Sequence, residues 1–376
     1  MNTHTWIQTA SWGTFGATLL ALAILRRHSA RLPALPRDCP ESLDSVCLCM
    51  PARNEAREIR RALGTWLGQD HAALEILVVD DGSTDGTSEI LAELAAEHPG
   101  RLRVIRNETL PPGWLGKNHA LDLASRQPEA LGARWLLFVD ADVQASPDLL
   151  RRVFGFLEAR PADILALLFA VDTGGRWERL ALPLTLGGFL SLVPPHQVPN
   201  PRHPAFAGIG AFTLVRREVY DAVGGHAAAP LEAVDDMMLA RRVKLAGYTN
   251  RLARGGPDLH LRMYHGPGDI LLGLRKNTAA LPFWWLLPLF LPLMLMVLLA
   301  PIWLPFAGHP GLAVALWLLV PALAGDVHQQ LSGKPMDLIW AFWPANGLLL
   351  AAGMSWAFWD RLRGVNTWRG RSVSIR

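Results

Sequence analysis

The chain has 376 residues, 51% of them hydrophobic, and 36 Lys and Arg offset 33 Asp and Glu to leave a formal net charge of only +3. That length predicts two or three domain-sized units. So small a net charge excludes a nucleic-acid partner held by bulk electrostatics. Arg26, Arg27, Arg31 and Arg37 follow the first apolar run, and Arg361, Arg363, Arg369, Arg371 and Arg376 gather at the C-terminus. Basic clusters beside apolar spans orient membrane proteins.

Residues 6–25 form an apolar run long enough to span a bilayer. No Lys or Arg precedes it and "RRHSAR" follows, the reverse of the charge order of a secretory signal. An uncleaved anchor with its C-terminal side in the cytoplasm is expected. Residues 1–43 are read as this anchor and a basic linker.

Residues 44–275 read as one α/β domain. Apolar strand candidates lie at 46–50, 74–79, 102–105, 135–139 and 164–171, with helical patterns at 88–97, 118–125 and 146–157 between them. Alternation of this kind predicts βαβ units and a mostly parallel sheet covered on both faces. Ligands bind such sheets outside the carboxyl ends of the strands. Cys47 and Cys49 alternate within "VCLCM" and fit one face of a buried, reduced strand. With Cys39 they offer no metal-ligand spacing.

Residues 276–376 turn apolar again. Runs at 281–306, 312–324 and 339–358 are flanked by tryptophans suited to membrane interfaces. Three crossings after a cytoplasmic domain would leave the Arg-rich tail outside. Either the short 312–324 run is re-entrant or interfacial, which gives the even number expected here, or the positive-inside rule fails for this chain.

Several chemistries have no motif here. The first strand is not followed by GxGxxG, and there is no GxxxxGK[ST] and no GxSxG. Acids at strand ends remain. "VVDDGSTDGT" closes the second strand with Asp80 and Asp81. Gly82 and Gly86 permit positive φ there, and Asp85 or Thr87 caps the next helix. "FVDADV" puts Asp140, Ala141 and Asp142 past a later strand, where two carboxylates suit Mg²⁺ or Mn²⁺ but also fit the N-terminal turn of a helix. "PARNEA" (Pro51, Ala52, Arg53, Asn54, Glu55) is by itself a βα loop. Lys117 in "GWLGKNHA" stands at a helix start, facing a diphosphate or simply solvent. Asp235 and Asp236 precede the helical run 237–246, as a cap or as a general base.

In this order the motifs "PARNEA", "VVDDGSTDGT", "GKNHAL", "FVDADV", "GIGAFTLVRREVYDAVGGH" and "DDMMLARRVKLAGY" resemble those of family 2 glycosyltransferases, over nearly all of residues 44–250. The resemblance implies a GT-A fold, an inverting reaction, a UDP- or GDP-sugar donor and a divalent metal, Mg or Mn. It implies that Pro51 to Glu55 with Asp80 and Asp81 line the nucleoside pocket, and that Lys117 lies near the base or diphosphate. Asp140 and Asp142 would be the DxD acids, with Ala141 between them. Asp236 would be the catalytic base, although an Asp-Asp pair stands where the family has Glu-Asp, which leaves Asp235 in contention. "HLRMYHGPGDILLGLRKNTAAL" and "VNTWRGR" look similar to the membrane-anchored branch associated with hopanoid and carotenoid glycosylation. Arg262, Arg275 and Lys276 there are candidate diphosphate cations, or headgroup contacts. The QxxRW motif of processive synthases is absent, so one sugar is expected to pass to a lipid.

The implied enzyme is a multi-pass protein of the inner (cytoplasmic) membrane, its catalytic domain facing the cytoplasm. Its partners are a nucleotide-sugar, a lipid acceptor and the bilayer, and no nucleic acid. The resemblance favours a hydroxylated terpenoid as the acceptor, with a diacylglycerol- or ceramide-like lipid or a polyprenyl phosphate as the alternatives. A non-catalytic membrane scaffold keeping the fold is the alternative of another class.

Overall fold

The computed structural model describes the backbone of every residue except 1, 2, 38, 39, 41, 42, 280–283, 336, 365, 366, 369, 370 and 373–376; Cys39 thus lies outside the described residues. The chain divides into two compact units. One comprises Arg31–Ala170 and Val193–Leu261; the other comprises Met1–Ala30, Val171–Leu192 and Arg262–Arg376.

The first unit is built on an eight-stranded sheet. Its strands are β1 (Val46–Ala52), β2 (Leu74–Asp80), β3 (Leu102–Arg106), β4 (Trp135–Phe138), β5 (Gln144–Ala145), β6 (Ile164–Val171), β7 (Thr213–Arg216) and β8 (Asn250–Leu261), in the order β3-β2-β1-β4-β7-β6-β8-β5. Strands β3-β2-β1-β4 pair parallel, while β7 pairs antiparallel with both β4 and β6 and β5 pairs antiparallel with β8. The parallel half consists of four of the five strands whose apolar runs are legible in the sequence; the fifth, 164–171, is β6. Cys47, Cys49, Leu77, Val79 and Leu136 share one buried cluster with Leu121 and Ala124 of the helix Gly116–Ser125 and Leu239 and Val243 of the helix Asp235–Leu245. Burial on both faces is why these strands need continuous rather than alternating apolar residues. The helix Ile59–Leu67 covers the sheet with Ile59, Ala62, Leu63, Trp66 and Leu67, the i, i+3, i+4, i+7 stripe of an amphipathic helix.

Register places the functional loops. Ala52 lies opposite Asp80, and Asp80 opposite Arg106. Cys49 lies opposite Phe138, two residues before Asp140. The carboxyl ends of β1, β2, β3 and β4 therefore share one edge. Because β7 is antiparallel to both neighbours, β6 runs parallel to β4 and leaves the sheet at that same edge.

The second unit is helical: Thr3–Ala30, Arg176–Leu192, Pro267–Ala279, Leu287–Leu298, Ala300–Trp303, Pro310–Ser332 and Pro344–Leu362. His4–Ala30 and Pro310–Ser332 are the two described helices long and apolar enough to cross a membrane. The 312–324 run, expected to be too short for a span, is the middle of the 23-residue helix Pro310–Ser332, because its polar continuation through Gln330 stays helical. The 281–306 run is instead broken into short helices among Pro288, Pro292, Pro301 and Pro305, each of which removes a backbone donor.

Candidate active site

The first group of acids stands where β2 ends. Asp80 and Asp81 are buried, 1% and 4% exposed. Asp80 accepts hydrogen bonds from the Ser83 amide at 3.0 Å and from the Ser88 hydroxyl, so both its oxygens tie the turn to the next helix. Gly82 and Gly86 take φ of +70° and +92°, as a turn this tight requires. Asp85 accepts from Thr87 N at 3.2 Å and from Ala56 N at 3.1 Å, lacing the "PARNEA" loop to this turn. Asn54, at φ +55°, accepts from Thr84 N at 2.8 Å, and Glu55 N donates to Thr87 Oγ1 at 2.9 Å. Asp81 faces differently. Its Oδ1 accepts from Asn107 Nδ2 at 2.8 Å, and Arg53 Nη1 lies 3.6 Å from Oδ2 and donates to the Asp81 carbonyl at 2.6 Å. Asn107 in turn meets His119 Nδ1 at 3.2 Å, and Trp114 packs edge-on against His119.

The second group surrounds Lys117, the second residue of the helix Gly116–Ser125. A cation there opposes the helix dipole. Lys117 Nζ lies 2.8 Å from Asp140 Oδ1 and 3.2 Å from Asp235 Oδ1. Burial works against its charge, but Asp140, Asp235 and Asp236 outweigh burial and hold the ammonium well above the usual lysine range. The same helix sets the loop ahead of the aspartate pair: Asn118 Nδ2 donates to the carbonyls of Ala229 and Glu232, each at 3.0 Å.

Asp235 and Asp236 open the helix Asp235–Leu245 and are electrostatically unlike. Burial favours the neutral acid at Asp235, yet Lys117 and His226 overcome it and depress its carboxyl well below the usual range. His226 Nε2 is 3.8 Å from Asp235 Oδ2, and its Nδ1 meets the Tyr220 hydroxyl at 2.9 Å. Asp236 Oδ1 accepts from the Met237 amide at 2.8 Å. Burial and the neighbouring Asp235 charge push Asp236 up to about 6. One of the two acids is thus held as a carboxylate, and the other is poised near neutrality.

Two glycines make this approach possible. A Cβ on Gly210 would sit 2.6 Å from Asp140 Oδ2 and 3.2 Å from Lys117 Nζ, and one on Gly208 would run into the Asp236 carbonyl. A pocket forms here, lined by Pro51, Lys117, Asp140, Gly210, His226, Asp235 and Asp236 among others.

The structure therefore brings Pro51, Lys117, Asp140, Asp235 and Asp236 to one pocket. Ala52 and Ala141 are buried beside it, whereas Asp142 is half-buried in the turn and is not part of the pocket wall. Arg262 belongs to the helical unit, where it binds Glu178 in a two-pronged pair at 3.0 Å, and Arg275 is paired with Asp360. Lys276 lies in the helix Pro267–Ala279, but its side chain is outside the described residues. Sequence reasoning missed His226, Tyr220, Asn107, Gly208 and Gly210. Only the alternating glycines of "GIGAF" carried a signal, of close backbone approach.

Among the described residues no three His, Cys, Asp or Glu side chains cluster as a metal site. Asp140 and Asp142 offer hard oxygen ligands, a set that fits Mg²⁺ or Mn²⁺ when donor phosphates complete the shell.

Known proteins resemble the chain in sequence and in fold. The family model described as glycosyl transferase family 2 matches residues 47–224. The chain is 27% identical over 366 residues to the beta-monoglucosyldiacylglycerol synthase of Synechocystis sp., covering 84% of this chain and 67% of the relative. It is 31% identical over 104 residues to the 4,4'-diaponeurosporenoate glycosyltransferase of Staphylococcus haemolyticus, covering 28% of this chain and 26% of that one. The solved Pyrobaculum calidifontis mannosyltransferase, in complex with GDP-Man and Mn²⁺, is similar in fold with a TM-score of 0.58 at 20% identity, over 95% of this chain and 99% of that one.

Proposed function

The chain being a family 2 glycosyltransferase with a GT-A-type α/β fold, we propose that it moves one sugar from a nucleotide-sugar to the hydroxyl of a membrane lipid, with inversion, using Asp236 as general base. The observation that carries this reading is the asymmetry of Asp235 and Asp236 around Lys117. Asp235 is committed to Lys117 and His226 and is a poor base. Asp236, pushed up to about 6, can accept a proton near neutral pH. This asymmetry supports Asp236 over Asp235 as the base.

The acceptor oxygen forms a bond to the anomeric carbon as its proton passes to Asp236. The bond from that carbon to the diphosphate breaks, and the nucleoside diphosphate leaves. Asp81, bound by Arg53 and Asn107 at the carboxyl end of β2, would meet the nucleoside end of the donor. Asp140 and Asp142 would hold the divalent cation, which when bound neutralises charge on the departing diphosphate. Lys117, paired with Asp140 and Asp235 at the pocket, would offer its positive charge to that diphosphate.

A lipid acceptor is supported by the relatives named monoglucosyldiacylglycerol synthases, whose similarity extends over 84% of the chain, and by the apolar helical unit. That span favours a diacylglycerol-like acceptor over the terpenoid, because the carotenoid-related match covers only 28%. Membranes containing the wild type, Asp142→Ala and Asp236→Asn are to be given UDP- and GDP-sugars with Mn²⁺ and diacylglycerol. Transfer by the wild type and a loss of about 10²-fold or more in each variant are expected. Full activity in both variants sinks the site assignment. No transfer or hydrolysis of any donor by the wild type favours a scaffold.

A further inference from the structure

Within the helical unit, Thr3–Ala30 and Pro310–Ser332 lie side by side with matching ends. Trp12 packs edge-on against His309 just ahead of the second helix. Further along, Leu22 shares a buried cluster with Ala313, Leu316 and Val320. Then Arg26 pairs with Asp326 at 3.5 Å, and Ser29 donates to Gln330 Oε1 at 2.9 Å. Contacts that advance together along both chains mean that the two helices are parallel. At 28 and 23 residues they are about 42 and 35 Å long, enough for the hydrocarbon core. Only 22% and 39% of their most apolar windows is buried, so neither is the enclosed core helix of a soluble domain.

Polar groups are sorted by end. At the C-terminal end of the pair, His28 Nδ1 lies 2.6 Å from the Leu190 carbonyl of the helix Arg176–Leu192. That helix and its approach carry the ion pairs Lys334 with Asp172, Arg179 with Asp337 and Arg262 with Glu178, at 2.8, 2.9 and 3.0 Å. The N-terminal end has no such set: residues 3–25 and 277–333 contain no Lys or Arg. The basic residues Arg26, Arg27, Arg31 and Lys334 lie at or just after the C-terminal ends, as the positive-inside rule requires of a cytoplasmic face.

We propose that these two helices cross the bilayer in the same direction with their C-terminal ends at the cytoplasmic face, so that the chain between Arg262 and His309 makes the return crossing. This rests on the membrane-bound reading above and adds the direction of each pass. The parity conflict read from the sequence then narrows to the helix Pro344–Leu362, and the Arg-rich tail stays on the cytoplasmic face when that helix does not cross. Up to Ser332 the chain crosses three times, the last two as the return stretch and Pro310–Ser332, and residue 333 lies on the same face as residue 31. Asp326 pairs with Arg26 near the C-terminal ends of the two helices and holds them in register.

The test is single-cysteine labelling in the full chain carrying Cys39→Ser, with Cys47 and Cys49 kept because they are fully buried. His4→Cys, Phe306→Cys and Leu338→Cys are exposed probes, the last two at 90% and 89%. A membrane-impermeant maleimide is applied to intact spheroplasts and to permeabilised ones. His4→Cys and Phe306→Cys are expected to label in both, and Leu338→Cys only after permeabilisation. Labelling of Leu338→Cys in intact spheroplasts, or protection of Phe306→Cys while His4→Cys reacts, overturns the parallel pair. Equal behaviour of all three probes overturns the crossings themselves. Donor turnover in the same membranes is read separately, so an inactive protein with the expected labelling fails the functional reading and leaves the topology standing.

Discussion

Lys117 Nζ stands 2.8 Å from Asp140 Oδ1, joining the acid that follows β4 to the helix that follows β3. The same ammonium reaches Asp235 at 3.2 Å. Three elements distant in sequence are therefore held by one cation. Lys117→Met should lower kcat/KM for the donor by about 10²-fold, the scale of removing one placed charge from a transition state. Steady-state kinetics over a donor series checks this, and an unchanged kcat/KM would remove Lys117 from the site.

The raised Asp236 gives a pH dependence of definite sign. A general base must be deprotonated, so kcat/KM should rise with pH through about 6 and then level. An ordinary aspartate would place that limb about two units lower, near 3.9. Lys117 favours the Asp236 carboxylate, so Lys117→Met should also move the limb to higher pH. A pH–rate profile that is flat between 5 and 8 in the wild type contradicts the assignment.

Gly210→Ala tests close approach. The added methyl would come within 2.6 Å of Asp140 Oδ2 and 3.2 Å of Lys117 Nζ. Side chains can yield where backbone cannot, so destabilisation of about 1–3 kcal/mol is expected, with a loss of donor turnover larger than the fall in Tm implies. Gly208→Ala meets the Asp236 backbone carbonyl instead and should disturb folding more. Thermal melts of the two variants rank them.

Tyr220→Phe removes a hydroxyl that meets both His226 Nδ1 and Ser125 Oγ in a buried position. Leaving those groups unpaired should cost about 1–3 kcal/mol in stability. The kcat should fall much less than in Asp236→Asn, because Tyr220 touches Asp235 only through His226. A kcat loss equal to that of Asp236→Asn would make Tyr220 part of the chemistry.

Arg262→Ala separates two roles. Glu178, only 2% exposed, would lose its two-pronged partner, and a destabilisation of about 2 kcal/mol or more is expected. A lowered Tm in detergent with little change in donor KM supports the structural pairing. A raised donor KM with an unchanged Tm supports the diphosphate cation that the sequence motif implies.

Much of the fold was legible. The apolar runs at 46–50, 74–79, 102–105, 135–139 and 164–171 all became strands, because a strand covered on both faces has to be apolar throughout. Strand β8, "NRLARGGPDLHL", gave no such pattern. Its polar residues sit where only one face is covered, and Gly255, Gly256 and Pro257 read as a turn. The break-up of residues 281–306 into short helices was marked by its prolines, whereas the full length of Pro310–Ser332 was hidden behind polar residues at its end.

From the sequence alone came the inventory of the site: acids at strand ends, a lysine at a helix start and an aspartate pair opening a late helix. Those are local facts, set by backbone preference and side-chain chemistry within a few residues. What sets the two acids of that pair apart, and which residues stand beside them, only the tertiary structure decided. Asp235 and Asp236 are chemically identical neighbours, and they differ because Lys117 and His226, brought in by the packing of helix and loop, stand beside one of them and leave the other crowded by its charge.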